Sequence, residues 1–123
     1  MKPIVNLTQH QATPEQVEAG VIDFDAHARK WLGELLTFDE IPSHQDMVSR
    51  AREIVRAFVT PEWHDKAMIG GAPYFMPFLE KELRTVGVKP VYAFTKRESV
   101  EHVMDDGSVR KTNTFRHMGF VEA

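Results

Sequence analysis

The sequence predicts a single α/β domain with a mainly parallel sheet, helices on both faces and a C-terminal β-hairpin. Up to Phe94, apolar segments of strand length alternate with amphipathic segments of helical periodicity. After Phe94 the pattern changes, because two strand-like segments flank the turn signal Asp105-Asp106-Gly107-Ser108. The length of 123 residues suits one hydrophobic core. We therefore expect residues 1–123 to form one domain.

The first third of the chain contains strong local signals. Ile4 to Leu7 is predicted to be a strand. Thr13-Pro14-Glu15-Gln16 predicts a helix start, with Thr13 as cap, Pro14 in the first turn and Gln16 completing a capping box. Gly20 suits the end of that helix. Three further elements are predicted here: a strand at 21–24, a short helix at 26–34, and a strand with a following loop at 35–42.

The middle of the chain predicts two longer helices that alternate with two strands. Ser43 can cap a helix whose apolar residues recur at helical spacing: Met47, Ala51, Ile54, Val55 and Phe58. A strand is expected at 66–69, followed by a turn at Gly70-Gly71. Pro73 is well placed to open the next helix, which ends near Gly87, and Pro77 allows a later start or a kink in that helix. A buried strand follows at 89–94, and the terminal hairpin, with strands at 99–104 and 109–115, is centred on Asp106-Gly107.

Composition narrows the classes of function. The net charge is -3, with -5 in residues 1–83 and +2 in residues 84–123, which disfavours a protein that coats long nucleic acid. No segment has the length or apolarity of a membrane span or a signal peptide. The absence of cysteine excludes thiolate chemistry and disulfides. We expect a cytoplasmic protein without membrane association.

The strand at 89–94 is expected to end in a hydroxyl, two cations and a carboxylate, Thr95-Lys96-Arg97-Glu98. Ligands of open α/β sheets bind beyond the carboxyl ends of strands, and paired cations there suit phosphate. The alternative is a solvated loop. Ile69-Gly70-Gly71-Ala72-Pro73 joins the preceding strand to a helix and is a second candidate anion site, although it lacks the complete phosphate-loop and dinucleotide motifs.

His10 follows the first strand and is expected at the same edge of the sheet. It is a candidate general base or phosphate donor, and the alternative is an ordinary surface histidine. His117 is a second candidate, and the remaining histidines are predicted to be surface residues: His27, His44, His64 and His102. No spacing of His and carboxylates predicts a metal site or a bound cofactor, and no Gly-x-Ser-x-Gly motif predicts a serine hydrolase.

Four segments together resemble a family of small CRISPR-associated proteins found beside type III systems: Thr8 to Gln16, Ile69 to Tyr74, Tyr92 to Glu98, and Val109 to His117. Members of that family are compact Rossmann-like proteins related to the CARF superfamily, and they are similar to stand-alone ring nucleases. The resemblance covers most of the chain and is weakest between Val21 and Trp63. Its most specific parts are the Thr-Lys-Arg-Glu segment and the basic strand ending in Phe-Arg-His.

The resemblance implies a metal-independent ring nuclease that cleaves cyclic oligoadenylate, the second messenger of type III systems. The implied catalytic residues are Lys96, Arg97, His10 and Thr95. The implied ligand-binding residues are Gly70, Gly71, Ala72, Glu98, Arg116 and His117. A ring with two-fold symmetry also suits a homodimer. Two alternatives are a module that binds the messenger without cleaving it and a regulatory interaction protein with an incidental anion site.

Overall fold

The computed structural model describes residues 2–123 and contains one five-stranded sheet flanked by helices. The elements are β1 (Ile4–Leu7), α1 (Pro14–Glu18), β2 (Val21–Ile22), α2 (Ala26–Leu35), α3 (His44–Phe58), β3 (Lys66–Ile69), α4 (Met76–Thr85), β4 (Lys89–Val103) and β5 (Val109–Glu122). The strand order is β2-β1-β3-β4-β5. The first four strands are parallel and β5 runs antiparallel to β4, which confirms the predicted fold class.

Helix starts follow the predicted capping signals. The Thr13 hydroxyl accepts a hydrogen bond from the Gln16 backbone N–H at 3.2 Å, and Gln16 Oε1 accepts one from the Thr13 N–H at 3.0 Å. Ser43 and Asp46 form the same reciprocal arrangement at the start of α3. These bonds satisfy amide donors that a helix start otherwise leaves unpaired, so local sequence fixes where both helices begin.

The two faces of the sheet are covered unequally. Helices α2, α3 and α4 pack on one face, where alternate strand residues such as Val5, Leu7 and Ile69 join a large buried cluster. The opposite face carries a small cluster of Ile4, Val21, Met68 and Val91, against which Ala12 and Phe120 pack. Because successive side chains of a strand point to opposite faces of the sheet, every second strand residue joins the large core. Three helices cover that face, so the opposite face is more open.

Several predicted boundaries are wrong. Residues 35–38 are not a strand, because Leu35 completes α2 and Leu36 caps it; the apolar residues at this position pack onto the core from a helix end. Helix α4 begins at Met76 and not at Pro73, which is the later start that Pro77 allowed, since Ala72 to Phe75 form a turn before it. The prediction that His64 is a surface residue is also wrong, because its side chain is buried and its Nδ1 accepts the Thr60 N–H at 3.2 Å.

The most consequential correction concerns β4, which does not end at Phe94. It continues to Val103 because it pairs with β5 along its whole length, whereas β3 accompanies it only as far as Val91. A register shift occurs after Phe94, where Phe94 pairs with Gly119 and Thr95 pairs with His117. Residues 95–117 therefore form a two-stranded hairpin, here called the arm, which continues past the other strands. Its turn at Gly107 has φ +86°, a conformation that favours glycine.

Candidate functional site

The crevice of interest lies where the sheet reverses its order of strands. Strand β1 is followed by β2 on one side, whereas β3 lies on the other side of β1. The loops after β1 and β3 therefore leave the sheet in different directions and open a gap at its carboxyl edge. Ligands of open α/β sheets bind at such a switch point. The topology places the candidate site here independently of any single motif.

The crevice has a volume of about 600 Å³ and is formed by the two loops together. Residues Thr8 to Gln11 line it from the β1 side, and Gly70 to Ala72 line it from the β3 side. The remaining lining residues are Thr13, Gln16, Met68, Ile69, Tyr92 and Ala93. Three of the predicted ligand-binding residues, Gly70, Gly71 and Ala72, and one predicted catalytic residue, His10, are thus brought together.

Asn6 holds the β1 side of the crevice in place. Its side chain is only 3% exposed, and its Nδ2 donates to Asp23 Oδ1 at 2.7 Å and to the His10 carbonyl at 2.9 Å. Its Oδ1 accepts the Thr8 backbone N–H at 2.9 Å. The Asp23 carboxylate in turn accepts the Ala12 N–H at 3.1 Å. This network fixes the loop that presents His10, because each bond ties a different loop residue to one buried amide.

The β3 side of the crevice presents backbone donors. Within residues 2–123, the N–H groups of Gly71 and Ala72 donate no hydrogen bond. The first turn of α4 contributes little, because the Phe75 and Met76 N–H groups already bind the Ala72 carbonyl and Pro77 has no N–H. The expected anion site is therefore a pair of loop amides and not a helix end. A Cβ at Gly71 would lie 3.3 Å from Met76 Cε, so the glycine keeps this turn close to α4.

The remaining predicted residues lie on the arm and do not line the crevice. Thr95 is two residues beyond Ala93, about 7 Å along the strand, and alternation puts it on the side of Ala93. Arg97 shares that side of the strand. Lys96 lies on the other side, with Tyr92. The structure thus separates two groups that the sequence placed in one crevice, and Thr95 stands nearest to the boundary between them.

Two pairs on the arm join predicted residues from both strands. Lys96 faces Arg116, and Thr95 faces His117. Arg116 Nη1 lies 3.8 Å from Glu98 Oε1, so the carboxylate offsets one cation of the first pair. Like charges directly opposite each other repel, so an anion bound between Lys96 and Arg116 would be stabilised there. The ion pair between Glu98 and Arg116 is exposed, so it contributes little and can be exchanged for a contact with a ligand.

His117 connects the arm to α1. Its backbone N–H donates to Glu15 Oε2 at 3.0 Å, and its ring lies against Phe120 with centroids 5.0 Å apart. Neither imidazole nitrogen is exposed, and neither has a hydrogen-bond partner within residues 2–123. This histidine therefore packs at the base of the arm. Its contacts position β5 beside α1, next to Thr13 and Gln16 of the crevice.

Sequence reasoning missed three polar residues that shape the crevice, namely Asn6, Asp23 and Gln16. A signal for the first existed, because an asparagine within the apolar strand Ile4 to Leu7 requires buried hydrogen-bond partners. Gln16 was recognised only as a cap. Its side chain is 8% exposed, its Oε1 is used in the capping box, and the residue lines the crevice. Its amide nitrogen is thus the natural donor from α1 to a bound ligand.

Residues 2–123 contain no helix that is long and apolar enough to cross a membrane. In the same residues, no three His, Asp or Glu side chains come together in a cluster that could hold a metal ion.

The order of strands and the crevice at the switch point define an open-sheet α/β protein whose candidate ligand site lies at the carboxyl edge of β1 and β3. The chain belongs to the family described as the Uncharacterized protein MJ1673 family, whose model matches residues 2–121. No curated protein and no protein of solved structure shows significant similarity to the chain.

Proposed function

We propose that the protein binds cyclic oligoadenylate and cleaves it to linear products, which would switch off type III CRISPR signalling. The observation that carries the proposal is the crevice at the switch point, which is lined by His10 on one side and by Gly71 and Ala72 on the other, whose N–H groups donate no hydrogen bond within residues 2–123. Backbone amides and a histidine are suitable donors to a phosphodiester. The sequence resemblance described above supports the cyclic oligoadenylate as substrate. A cytoplasmic location follows from that choice of substrate.

The proposed chemistry needs no nucleophile from the protein. The ribose 2′-hydroxyl attacks the adjacent phosphorus, and the bond to the 5′-oxygen breaks. The departing 5′-oxygen takes a proton from solvent water, so the products carry a 2′,3′-cyclic phosphate and a 5′-hydroxyl. His10 orients the 2′-hydroxyl and accepts its proton. Lys96 or Arg97 stabilises the charge that develops on the phosphorane oxygens, and Thr95 positions the phosphate. The attacking group and the cleaved bond belong to one substrate, so holding the two in line is the main task of the site.

The size of the crevice limits how many nucleotides of a ring one copy of the protein can hold. A volume of about 600 Å³ matches a ligand of drug size, about one or two nucleotides. A ring of four or six nucleotides is larger, so it would extend from the crevice towards the arm or into the crevice of a second copy. A ring with two-fold symmetry suits a homodimer whose axis passes through the ligand. We therefore propose a homodimer as the active form.

A second candidate function is binding of the messenger without cleavage. The observation that favours it is the separation between the crevice, which holds the donors for binding, and the arm, which holds Lys96 and Arg97. If a ligand fills the crevice without reaching the arm cations, charge stabilisation in the transition state is lost while the binding contacts remain. Such a protein would sense or sequester the messenger.

One experiment separates the two candidates. The protein is incubated with cyclic tetra-adenylate and, separately, cyclic hexa-adenylate in buffer with EDTA, and products are resolved by ion-exchange chromatography and mass spectrometry. Binding is measured in parallel by calorimetry. Linear products with 2′,3′-cyclic phosphate ends support the nuclease. Tight binding with an intact ring after hours supports the binding module. Absence of binding to both rings contradicts both candidates.

A further inference from the structure

We propose that two copies of the protein associate through the arm, by antiparallel pairing of the outer edges of their β4 strands with Ser99 of each copy at the two-fold axis. The proposal concerns residues 95–103, whose edge opposite β5 meets no other strand in residues 2–123. It rests on the geometry and charges of the arm. It therefore stands independently of the nuclease proposal. It also differs from a dimer closed around one ring, because its axis passes through Ser99, about 20 Å along β4 from Ala93 of the crevice.

The arm lacks the support that a two-stranded ribbon requires. All side chains between Thr95 and His117 are exposed except those of Glu98 and His117, which are half-buried. Several are large and apolar, including Val103 at 77% exposure and Phe115 at 70%. An isolated two-stranded hairpin is marginally stable in water, and an unpaired strand edge is a template for another strand. Pairing with a second ribbon would supply both the missing hydrogen bonds and a four-stranded sheet.

The charges of β4 select one register. A two-fold axis perpendicular to the ribbon makes one residue face its own copy, and residues equally distant from it on either side face each other. An axis at Glu98 sets two carboxylates opposite each other. An axis at Arg97 sets Lys96 opposite the partner's Glu98 twice but also sets the two Arg97 side chains opposite each other, which is unfavourable. An axis at Ser99 instead sets Arg97 opposite the partner's Glu101, twice over, with no like charges directly opposed. An axis at Val100 forms no pair of opposite formal charges.

The β5 edge is the poorer candidate for self-association. Its arm portion carries Arg110, Lys111 and Arg116, and no acidic residue occurs in the strand before Glu122. Antiparallel self-pairing within that portion therefore has no opposite charges to align. In the β4 strand, by contrast, Arg97 takes part in no ion pair within residues 2–123, and Glu101 has a single exposed one with Lys111 at 3.6 Å. An exposed pair of that kind contributes little and can be exchanged.

The chosen register has a consequence for the candidate site. With Ser99 at the axis, the partner's Val103 lies opposite Thr95, so the tip of each arm reaches the base of the other. Ala93, two residues before Thr95, lines the crevice. Each crevice would then be bordered by the partner's arm tip. Arg97 would be engaged at the interface, which leaves Lys96 and Arg116 as the cations available to a ligand phosphate.

The test uses two charge-reversal variants. Each should dimerise weakly by itself, and the two should dimerise with each other. In Arg97→Glu homodimers, two carboxylates face each other at each pair; in Glu101→Arg homodimers, two cations do. In a mixture of the two variants, the heterodimer regains opposite charges at both positions. Sedimentation velocity or light scattering over a concentration series gives the dissociation constants. We expect each variant alone to associate about tenfold or more weakly than the wild type, and the equimolar mixture to recover association.

Glu98→Arg is the matched control. Like Glu101→Arg, it reverses a carboxylate of β4 and removes an exposed ion pair, in this case the pair with Arg116. In the proposed register, however, residue 98 faces the partner's Val100, which is uncharged. We expect it to dimerise more tightly than either reversal. The proposal is overturned if the wild type stays monomeric at roughly 100 μM, which is about 100-fold above a micromolar dissociation constant. Dimers that are unaffected by both reversals, or reversals that are not complemented on mixing, overturn this interface. Recovery on mixing also shows that both variants are folded.

Discussion

Lys96 lies directly opposite Arg116 across the arm, so two cations share one side of an exposed two-stranded ribbon. Only the second has an ion-pair partner within residues 2–123, Glu98 at 3.8 Å. Opposed like charges lower the stability of a ribbon. An anion bound between them would offset this repulsion, and the nearest ligand crevice begins at Ala93, three residues before Lys96 on β4.

Lys96→Ala is expected to lower the rate of ring cleavage by about two to three orders of magnitude, because it removes a charge-stabilising donor. Binding should weaken less, since the amides and His10 remain. The free energy of unfolding should stay the same or rise by a few tenths of a kcal/mol, because the repulsion of Arg116 is removed. Single-turnover kinetics and urea denaturation measure both quantities. Lys111→Ala is the control on the arm, and equal cleavage by both variants would contradict the role of Lys96.

Asn6→Ala is expected to lower the free energy of unfolding by about 1–3 kcal/mol, because it leaves buried partners of a nearly inaccessible amide unsatisfied. The β1 loop should loosen and ligand affinity should fall with it. Gln45→Ala is the control, since its hydrogen bond to Ser49 lies on the exposed surface of α3. Urea denaturation followed by circular dichroism gives the difference. A loss equal to that of the control would show that the network is dispensable.

The sequence predicted the elements whose determinants are local. Thr13 and Ser43 predicted where α1 and α3 begin, because the capping of a helix start depends on only four consecutive residues. The hairpin turn at Asp106-Gly107 was equally local. The mainly parallel direction of the strands followed from the alternation of strands and helices. These signals gave the carboxyl edge of the sheet and therefore the crevice residues His10, Gly70, Gly71 and Ala72.

The parts that sequence reasoning missed depend on contacts between distant residues. The apolar run ending at Phe94 gives no sign that β4 continues, because the continuation is imposed by pairing with β5 from Val109 onwards. Likewise, Asn6 meets Asp23 only after β1 and β2 are adjacent. The buried state of His64 depends on the turn that brings its ring to the Thr60 N–H. The extension of β4 is a tertiary effect with no local signature, whereas Asn6 within an apolar strand and the local turn from Thr60 to His64 are signals that the sequence does contain.

His64 should make the protein less stable in mild acid. Burial lowers the pKa of His64 below the ordinary value of 6.5, so the native state favours the neutral imidazole. The unfolded chain takes up the proton first as the pH falls, and the free energy of unfolding therefore decreases below about pH 6.5 and is constant above it for this group. His64→Asn should flatten that slope. Urea denaturation between pH 5 and 8 tests this, with exposed His27→Asn as control; an unchanged slope in His64→Asn would contradict it.

Tyr92 should make the protein less stable in alkali. Burial, followed by the 2.6 Å hydrogen bond to Glu80 and the charge of that carboxylate, raises the pKa of Tyr92 above the ordinary value of 10.0. The native state keeps the proton while the unfolded chain loses it, so stability is complete below about pH 10 and falls above it. Tyr92→Phe should lessen this fall. Tyr74→Phe, at an exposed position, is the control, and identical alkaline curves for the two variants would refute the assignment.

His10→Ala tests the chemistry of cleavage most directly. The ring of His10 is exposed at the crevice while its carbonyl is held by Asn6, so the substitution removes the proton acceptor and leaves the loop bonds in place. General-base catalysis typically contributes about 10²–10⁴-fold, so cleavage should fall within that range, while binding of the ring should weaken less because the Gly71 and Ala72 amides remain. His27→Ala, on α2, should cleave as the wild type does. Because the attacking hydroxyl belongs to the substrate, products of the wild type should carry 2′,3′-cyclic phosphate ends and form at the same rate in EDTA. Products with 5′-phosphate ends, or a rate that EDTA abolishes and added magnesium restores, would require a different mechanism, in which water attacks the phosphate and His10 has no direct part.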